Sequence, residues 1–340
     1  MASQEIFICS TYYHVLIAIM MSLTQRIHAD IILMSYIPGY RDLCINLIKS
    51  RIFVNVILFE RDKKNQHFSK TVFEKVFLHR KRNIRVIQTK LKVDLMRYEK
   101  VYIFHDSIEL GHYLQDIKRP YILLEDALDF FKIIQETAFA NEIPNRRSLK
   151  YWLKRLTGIG YLSSGQSKYC VAIYVNDKSG IKIPAQKVVE FPKKTLFGLL
   201  TEEDKARITN VFFDVNKLDL NNNEKKVLVL TQPLFEDGIV PTQEIQQRVY
   251  QSIRERYANN GYLVYFKPHP RDMFPYQDVF ASNAVIDKNA PAEVMEYLGV
   301  QFDEAVSINS TAVNSISFAK NKVMLGIDYL NAFVQRAEER

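Results

Sequence analysis

Short β-rich runs alternate with helix-length amphipathic stretches through most of this chain, and the alternation stops once and then restarts. The runs "EIFIC" (5–9), "DIILMS" (30–35), "FVNVILF" (53–59), "KVYIFH" (100–105), "YILLE" (121–125) and "CVAIYV" (170–175) read as strands. Segments 13–25 and 40–50 between them carry apolar residues at helical spacing. That order predicts βαβ units and a parallel sheet. A polar, turn-rich stretch follows from "NDKSG" (176–180) to "LDLNNNEKK" (218–226), with a helix expected at 202–213. Strands are expected again at 226–232, 262–267, 284–286, 304–308 and 322–327, with helices at 243–258, 292–298 and 311–319. The predicted fold class is therefore α/β, with two Rossmann-like doubly wound domains facing a central cleft. The expected divisions are 1–190, a connecting segment 191–225, a second domain 226–328 and a C-terminal helix 329–340. A length of 340 residues, 47% of them apolar, agrees with two domains.

Composition narrows the setting. Three cysteines (Cys9, Cys44 and Cys170), far apart and without a C-x-x-C pair, make neither a disulfide framework nor a zinc knuckle. A reducing, cytoplasmic compartment is expected. The apolar N-terminal run 6–23 has no Lys or Arg before it and is broken by Ser10, Thr11 and His14, so it reads as strand, loop and helix rather than a leader. The net charge of +8 allows an anionic partner. Its clusters are scattered: "RDKK" (61–64), "HRKRNIR" (79–85) and "NRRSLKYWLKR" (145–155). The last, with Tyr151, Trp152 and Leu153, is a candidate for peripheral membrane contact. No regular aromatic platform accompanies the charge, which argues against nucleic acid.

In doubly wound sheets ligands bind at the carboxyl ends of strands, and four stretches there carry chemistry. In "YFKPHP" (265–270), Pro268 and Pro270 stop a strand and hold His269 on a stiff loop, suited to a donor for a leaving phosphate. In "SINST" (307–311), Asn309 or Ser310 is placed to cap a helix, and the hydroxyls of Ser310 and Thr311 with the helix N-terminus outline a phosphate pocket. "TQPLFEDG" (231–238) sets the paired acids Glu236 and Asp237 before Gly238, and a second pair, Glu125 and Asp126, ends a strand in the first half. Either pair can supply a general base. Lys267 and Arg271 are candidate contacts for phosphate or carboxylate, and Glu293 for ribose hydroxyls.

Together these stretches resemble a known family. "YFKPHP" is similar to the His-Pro motif of bacterial sialyltransferases, "FEDG" to their acidic-acidic-Gly motif, and "NST" to their Ser-Ser/Thr motif. The opening "ICSTYYHVLIA" resembles the first strand and loop of glycosyltransferase family 52, the lipooligosaccharide and capsule sialyltransferases. The resemblance implies a GT-B fold with an N-terminal acceptor domain and a C-terminal nucleotide-sugar domain. It implies inverting transfer from CMP-sialic acid to a terminal galactoside, without a metal or other cofactor. The lack of a D-x-D triplet in the chain agrees with that.

Carried over by motif, His269 donates to the departing CMP phosphate, Ser310 and Thr311 hold it beside Pro270, and Asp237 is the base. "EDA" with Ala127 in place of glycine leaves Glu125 and Asp126 as the alternative base. The family also contains UDP-sugar transferases, so a UDP-hexose donor stays open, as does a non-catalytic glycan- or nucleic-acid-binding protein. A homodimer, and attachment at the inner face of the cytoplasmic membrane, complete the expected partners.

Overall fold

The structure is a computed structural model that describes residues 4–60, 79–126, 130–131, 161–181, 185–213, 224–281, 284–310 and 312–338. The chain forms two compact units that divide at Asp204/Lys205.

Unit 1 is built on seven strands: β1 (Glu5–Cys9), β2 (Ala29–Met34), β3 (Val56–Phe59), β4 (Lys100–Ile103), β5 (Tyr121–Leu124), β6 (Cys170–Val175) and β7 (Val188–Glu190). All neighbours are parallel, in the order β3-β2-β1-β4-β5-β6-β7. This is the doubly wound arrangement extended by one strand, with its switch point between β1 and β4. Strands β1, β2 and β5 are buried along their whole length and β4 in all but its first residue, as parallel strands covered on both faces must be. Among the described residues its α-helices are α1 (Tyr12–Thr24), α2 (Tyr40–Ser50), α3 (His79–Leu91), α4 (Glu109–Asp116), α5 (Lys193–Leu199) and α6 (Glu202–Phe212).

Helix α1 starts abruptly because Thr11 caps it, its hydroxyl accepting the His14 N–H at 3.1 Å. Its residues His14–Ser22 are all buried. Helix α4 crosses the loop after β4 so closely that a Cβ at Gly111 would come within 2.3 Å of the Asp106 carbonyl oxygen. Only glycine permits that approach.

Unit 2 repeats the plan with β8 (Lys226–Leu230), β9 (Leu263–Lys267), β10 (Phe302–Ser307) and β11 (Ala319–Met324), all parallel, in the order β11-β10-β8-β9. Its switch point lies between β8 and β10. Among the described residues its α-helices are α7 (Gln243–Ala258), α8 (Tyr276–Val279), α9 (Ala312–Ser315) and α10 (Ile327–Glu338). An apolar core joins Val227, Val229, Val249, Ile253, Phe266 and Leu330.

Several expectations need correction. Strand β7 was not foreseen; its "VVE" is too short for period-two alternation to register. Helix α5, expected in a connecting segment, packs on α1, with Lys193 over the Tyr13 ring at 4.6 Å. The unit boundary therefore falls inside α6 instead of at residue 190. Helix α10 packs on α7 and buries Leu330 in the core. Residues 292–298 form a 3₁₀ helix, and 284–286 contribute one bridge, Val285 to Phe266. The helix expected at 311–319 shrinks to the four residues of α9, because Phe318 and Ala319 are drawn into pairing beside β10. Pairing along a buried strand outweighs the weak helix propensity of "NSIS".

Candidate active sites of the two units

The site residues of unit 2 collect where β8, β9 and β10 end. Thr231 and Gln232, just after β8, tie the other two loops together. The Thr231 hydroxyl accepts the His269 N–H at 3.2 Å, and the Gln232 side-chain oxygen accepts the Asn309 N–H at 2.7 Å. Beyond that point Ser307 Oγ accepts the Ser310 N–H at 2.9 Å. The His-Pro and Asn-Ser stretches are thus anchored on one dipeptide at the switch point. With α9 only four residues long, the expected helix dipole behind Ser310 is largely absent. The N–H groups of His269, Asn309 and Ser310 are engaged within the loops, which leaves the Ser310 hydroxyl as the candidate anion-binding group. Thr311 lies outside the described residues.

His269 is half-buried. Its Nδ1 accepts the Arg271 backbone N–H at 3.1 Å, which assigns the ring proton of the neutral form to Nε2. Burial lowers its pKa, helped by the charges of Arg271 and Lys267 and opposed by Asp237. Both acids of "FEDG" turn toward the same loop. Glu236 accepts the Met273 N–H at 3.0 Å, and Asp237 meets the Arg271 guanidinium through both oxygens, at 2.9 and 3.3 Å. Lys267 is buried with its ammonium on the carbonyls of Pro268 (3.2 Å) and Lys288 (3.0 Å). Burial lowers its pKa to about 8 against the pull of Asp287 and Glu293. Lys267 therefore braces the loop, while Pro270 and Glu293 are exposed.

Sequence reasoning missed the residue beneath this loop. Asp272 is fully buried and accepts four hydrogen bonds, from the Thr231 hydroxyl (3.0 Å), Gln246 (2.9 Å), the Phe274 N–H (3.0 Å) and the Tyr276 hydroxyl (2.8 Å). The acid in "HPRD" was visible, but nothing in the sequence marks an aspartate as buried.

In unit 1, Glu125 and Asp126 part company. Glu125 is buried and accepts the Asn176 N–H at 2.7 Å, bracing β5 against the end of β6. Asp126 instead turns to two histidines that follow β1 and β4. Its Oδ1 bonds His14 Nε2, and its Oδ2 lies 3.1 Å from His105 Nε2, within ion-pair distance. His14 stacks on Phe104 with ring centroids 4.1 Å apart. The loop carrying His105 is anchored by Asp106, which accepts the N–H groups of Ser164 (2.6 Å) and Gly165 (2.9 Å) and the Tyr121 hydroxyl (2.9 Å). Neither histidine was singled out by the sequence, because the three side chains come from separate strand ends. Ala127 and the aromatic-basic stretch 145–155 lie outside the described residues.

Each unit gathers polar side chains at the switch point of its sheet, the place where doubly wound sheets bind ligands. Residues 49–328 match the model of glycosyltransferase family 52, and the chain belongs to that family. The chain is 29% identical over 224 residues to an uncharacterized protein of Haemophilus influenzae, covering 65% of this chain and 67% of that one. Among solved structures it is similar to the UDP complex of Staphylococcus aureus MnaA (11% identity, TM-score 0.41, covering 91% of this chain and 74% of that one). It is also similar to UDP-GlcNAc 2-epimerase of Methanocaldococcus jannaschii (11% identity, TM-score 0.41, covering 97% and 91%). As a family 52 member the protein is a glycosyltransferase, an enzyme class that takes a nucleotide-sugar donor and a glycan acceptor. Among the described residues no helix is long and apolar enough to cross a membrane.

Proposed function

We propose that this glycosyltransferase moves sialic acid from CMP-sialic acid to a terminal galactoside of a bacterial lipooligosaccharide or capsule, with inversion at the anomeric carbon. The observation that carries the reading is the fixed tautomer of His269. Because the Arg271 N–H occupies Nδ1, Nε2 carries the proton of the neutral ring, on a loop stiffened by two prolines. Departure of CMP leaves new negative charge on a phosphate oxygen, and a preorganised N–H at that oxygen lowers the barrier to departure. An arriving phosphate favours the protonated ring and so opposes the lowering that burial imposes on His269.

The Ser310 hydroxyl helps hold the phosphate, and Arg271 supplies the charge beside it. The anomeric carbon of sialic acid passes through an oxocarbenium-like state, so the enzyme's task is to stabilise the leaving group and orient a nucleophile. Neither acidic pair is bare: Asp237 is engaged by Arg271, and Asp126 by two histidines. Asp237 can take the acceptor's proton once the donor's anionic groups draw Arg271 away.

The test is nucleotide release by the purified protein supplied with CMP-sialic acid, UDP-glucose, UDP-galactose or UDP-N-acetylglucosamine, each with and without lactose. CMP release that rises with lactose is the expected result. UDP release keeps the family and overturns the donor.

A further inference from the structure

A layer of buried polar side chains runs beneath the two site loops of unit 2. Its members are Thr231, Gln246, Tyr250, Asp272 and Tyr276, and Gln246 and Asp272 are each 0% exposed. Gln246 and Tyr250 stand four residues apart on α7 and so share one buried face of that helix.

One set of bonds leads from this layer to the acidic loop. Gln246 Oε1 accepts the Phe235 N–H at 2.8 Å, and the Phe235 carbonyl accepts the Gly238 N–H at 3.0 Å, closing the turn that carries Glu236 and Asp237. The Tyr250 hydroxyl accepts the Gln232 N–H at 2.7 Å and donates to the Gln232 carbonyl at 3.1 Å. A backbone N–H can only donate, so the Gln246 oxygen faces Phe235 and its Nε2 is left to donate to Asp272 Oδ1, at 2.9 Å.

A second set leads to the His-Pro loop. Strands β8 and β9 pair as far as Leu230 and Lys267, and the Thr231 N–H still bonds the Lys267 carbonyl at 3.1 Å. Continued, the parallel ladder would take the His269 N–H to the Thr231 carbonyl. It goes instead to the Thr231 hydroxyl, which also bonds Asp272 Oδ2 at 3.0 Å. Asp272 closes the loop from its other end, its own N–H bonding the His269 carbonyl at 2.9 Å. Inside that turn the Arg271 N–H reaches His269 Nδ1. Pro270, Arg271 and Met273 are exposed, so packing of those side chains does not hold the turn.

Stability alone gives no reason for a carboxylate in this place. Burying one is costly unless it is fully hydrogen-bonded, and an apolar residue of similar volume often serves a fold as well or better. What Asp272 supplies is direction, because its acceptor bonds set how Thr231 and Gln246 meet their loops.

We propose that Thr231, Asp272 and Gln246 are positioning residues for the transfer reaction, a buried hub that fixes the ring of His269 and the acidic loop of Asp237 in one arrangement. The proposal rests on the glycosyl-transfer reading above, in which His269 meets the leaving phosphate. None of the three makes or breaks a bond in the reaction. Their influence passes through hydrogen bonds, since the charges that act on the His269 ring are those of Arg271, Lys267 and Asp237.

The test compares Thr231→Val, Thr231→Ser and Gln246→Met with the wild type, well below their melting temperatures, in donor turnover and in the imidazole ¹⁵N shifts of His269. The neutral ring of the wild type should carry its proton on Nε2. Thr231→Val keeps the shape and loses the hydroxyl. It should show both tautomers and a kcat about 10–100-fold lower, with donor KM changed by about threefold or less. Thr231→Ser restores the hydroxyl and should return the single tautomer and most of the rate. Gln246→Met frees the acidic loop alone, so kcat should fall about tenfold while the His269 tautomer stays as in the wild type.

A proton on Nδ1 of neutral His269 in the wild type overturns the proposal without any variant. So does a folded Thr231→Val whose ring shifts and kcat match the wild type, or a Thr231→Ser as impaired as Thr231→Val. If Thr231→Val does not fold, Gln246→Met decides, and a wild-type kcat there overturns the hub. The two kinds of failure are distinct. A wild type that releases no nucleotide from any donor removes the glycosyl-transfer reading, and the positioning role with it; normal release with an unmoved His269 ring removes the positioning alone.

Discussion

Gln232 accepts the backbone N–H of Asn309 at 2.7 Å, linking the loop after β8 to the loop after β10 across the switch point of unit 2. With the neighbouring Thr231 hydroxyl, which accepts the His269 N–H, it ties the His269 loop and the Ser310 loop to one dipeptide. Gln232→Leu should raise the donor KM roughly tenfold, a loss of about 1.4 kcal/mol. It should leave the melting temperature nearly unchanged, because the released Asn309 N–H is exposed and can turn to water. Steady-state kinetics beside a thermal melt check it. A large fall in melting temperature would make Gln232 a folding residue instead.

His269→Ala should lower kcat by about 10²-fold, with a smaller change in donor affinity, since the Nε2 bond strengthens only as phosphate charge develops. Single-turnover rates alongside donor binding by calorimetry separate the two effects. A variant that loses affinity and keeps its rate would make His269 a ground-state contact.

Asp272→Leu should destabilise unit 2 by more than about 4 kcal/mol, because it orphans four donors in a buried position. Asp272→Asn should cost far less, as the hydroxyls of Thr231 and Tyr276 can reverse and accept from the amide. Urea unfolding of the two variants measures the difference. Equal losses would mean that the charge of Asp272, rather than its hydrogen bonds, holds the loop.

His14 makes stability depend on pH. Burial lowers its pKa from 6.5 to about 4; Asp126 opposes, and His105 and Lys193 add to the lowering. Between those values the unfolded chain binds a proton that the folded chain refuses. Stability is therefore fully present above the unfolded value and lost as pH falls toward 4, by about 3 kcal/mol for this group alone. The raised pKa of His105 acts with the opposite sign, adding stability at low pH that is lost as pH rises through its folded value. His14→Gln, which still offers Asp126 an N–H, should flatten the acid-side loss. Urea midpoints at pH 4.5 and 7 decide it, and a variant as acid-sensitive as the wild type would place the critical proton elsewhere.

Much of this protein was legible in its residues alone. The β-rich runs and helical spacings set the class of fold, because a strand buried on both faces must be apolar throughout and a covering helix must be apolar on one side. The same reading located Pro268, His269, Asp237 and Ser310, since prolines and polar residues just past an apolar run mark a strand's end. What those residues touch was decided only by tertiary structure. Strand order is set by packing among segments far apart in the chain. It is this order that brings the loops of β1, β4 and β5 side by side and gathers His14, His105 and Asp126, separated by up to 112 positions, into one cluster. The same long-range pairing drew residue 319 into β11 and cut short a helix whose local spacing looked sound. Asp272 was hidden for a related reason: burial belongs to the fold, and a carboxylate's letter is the same at the surface and in the core.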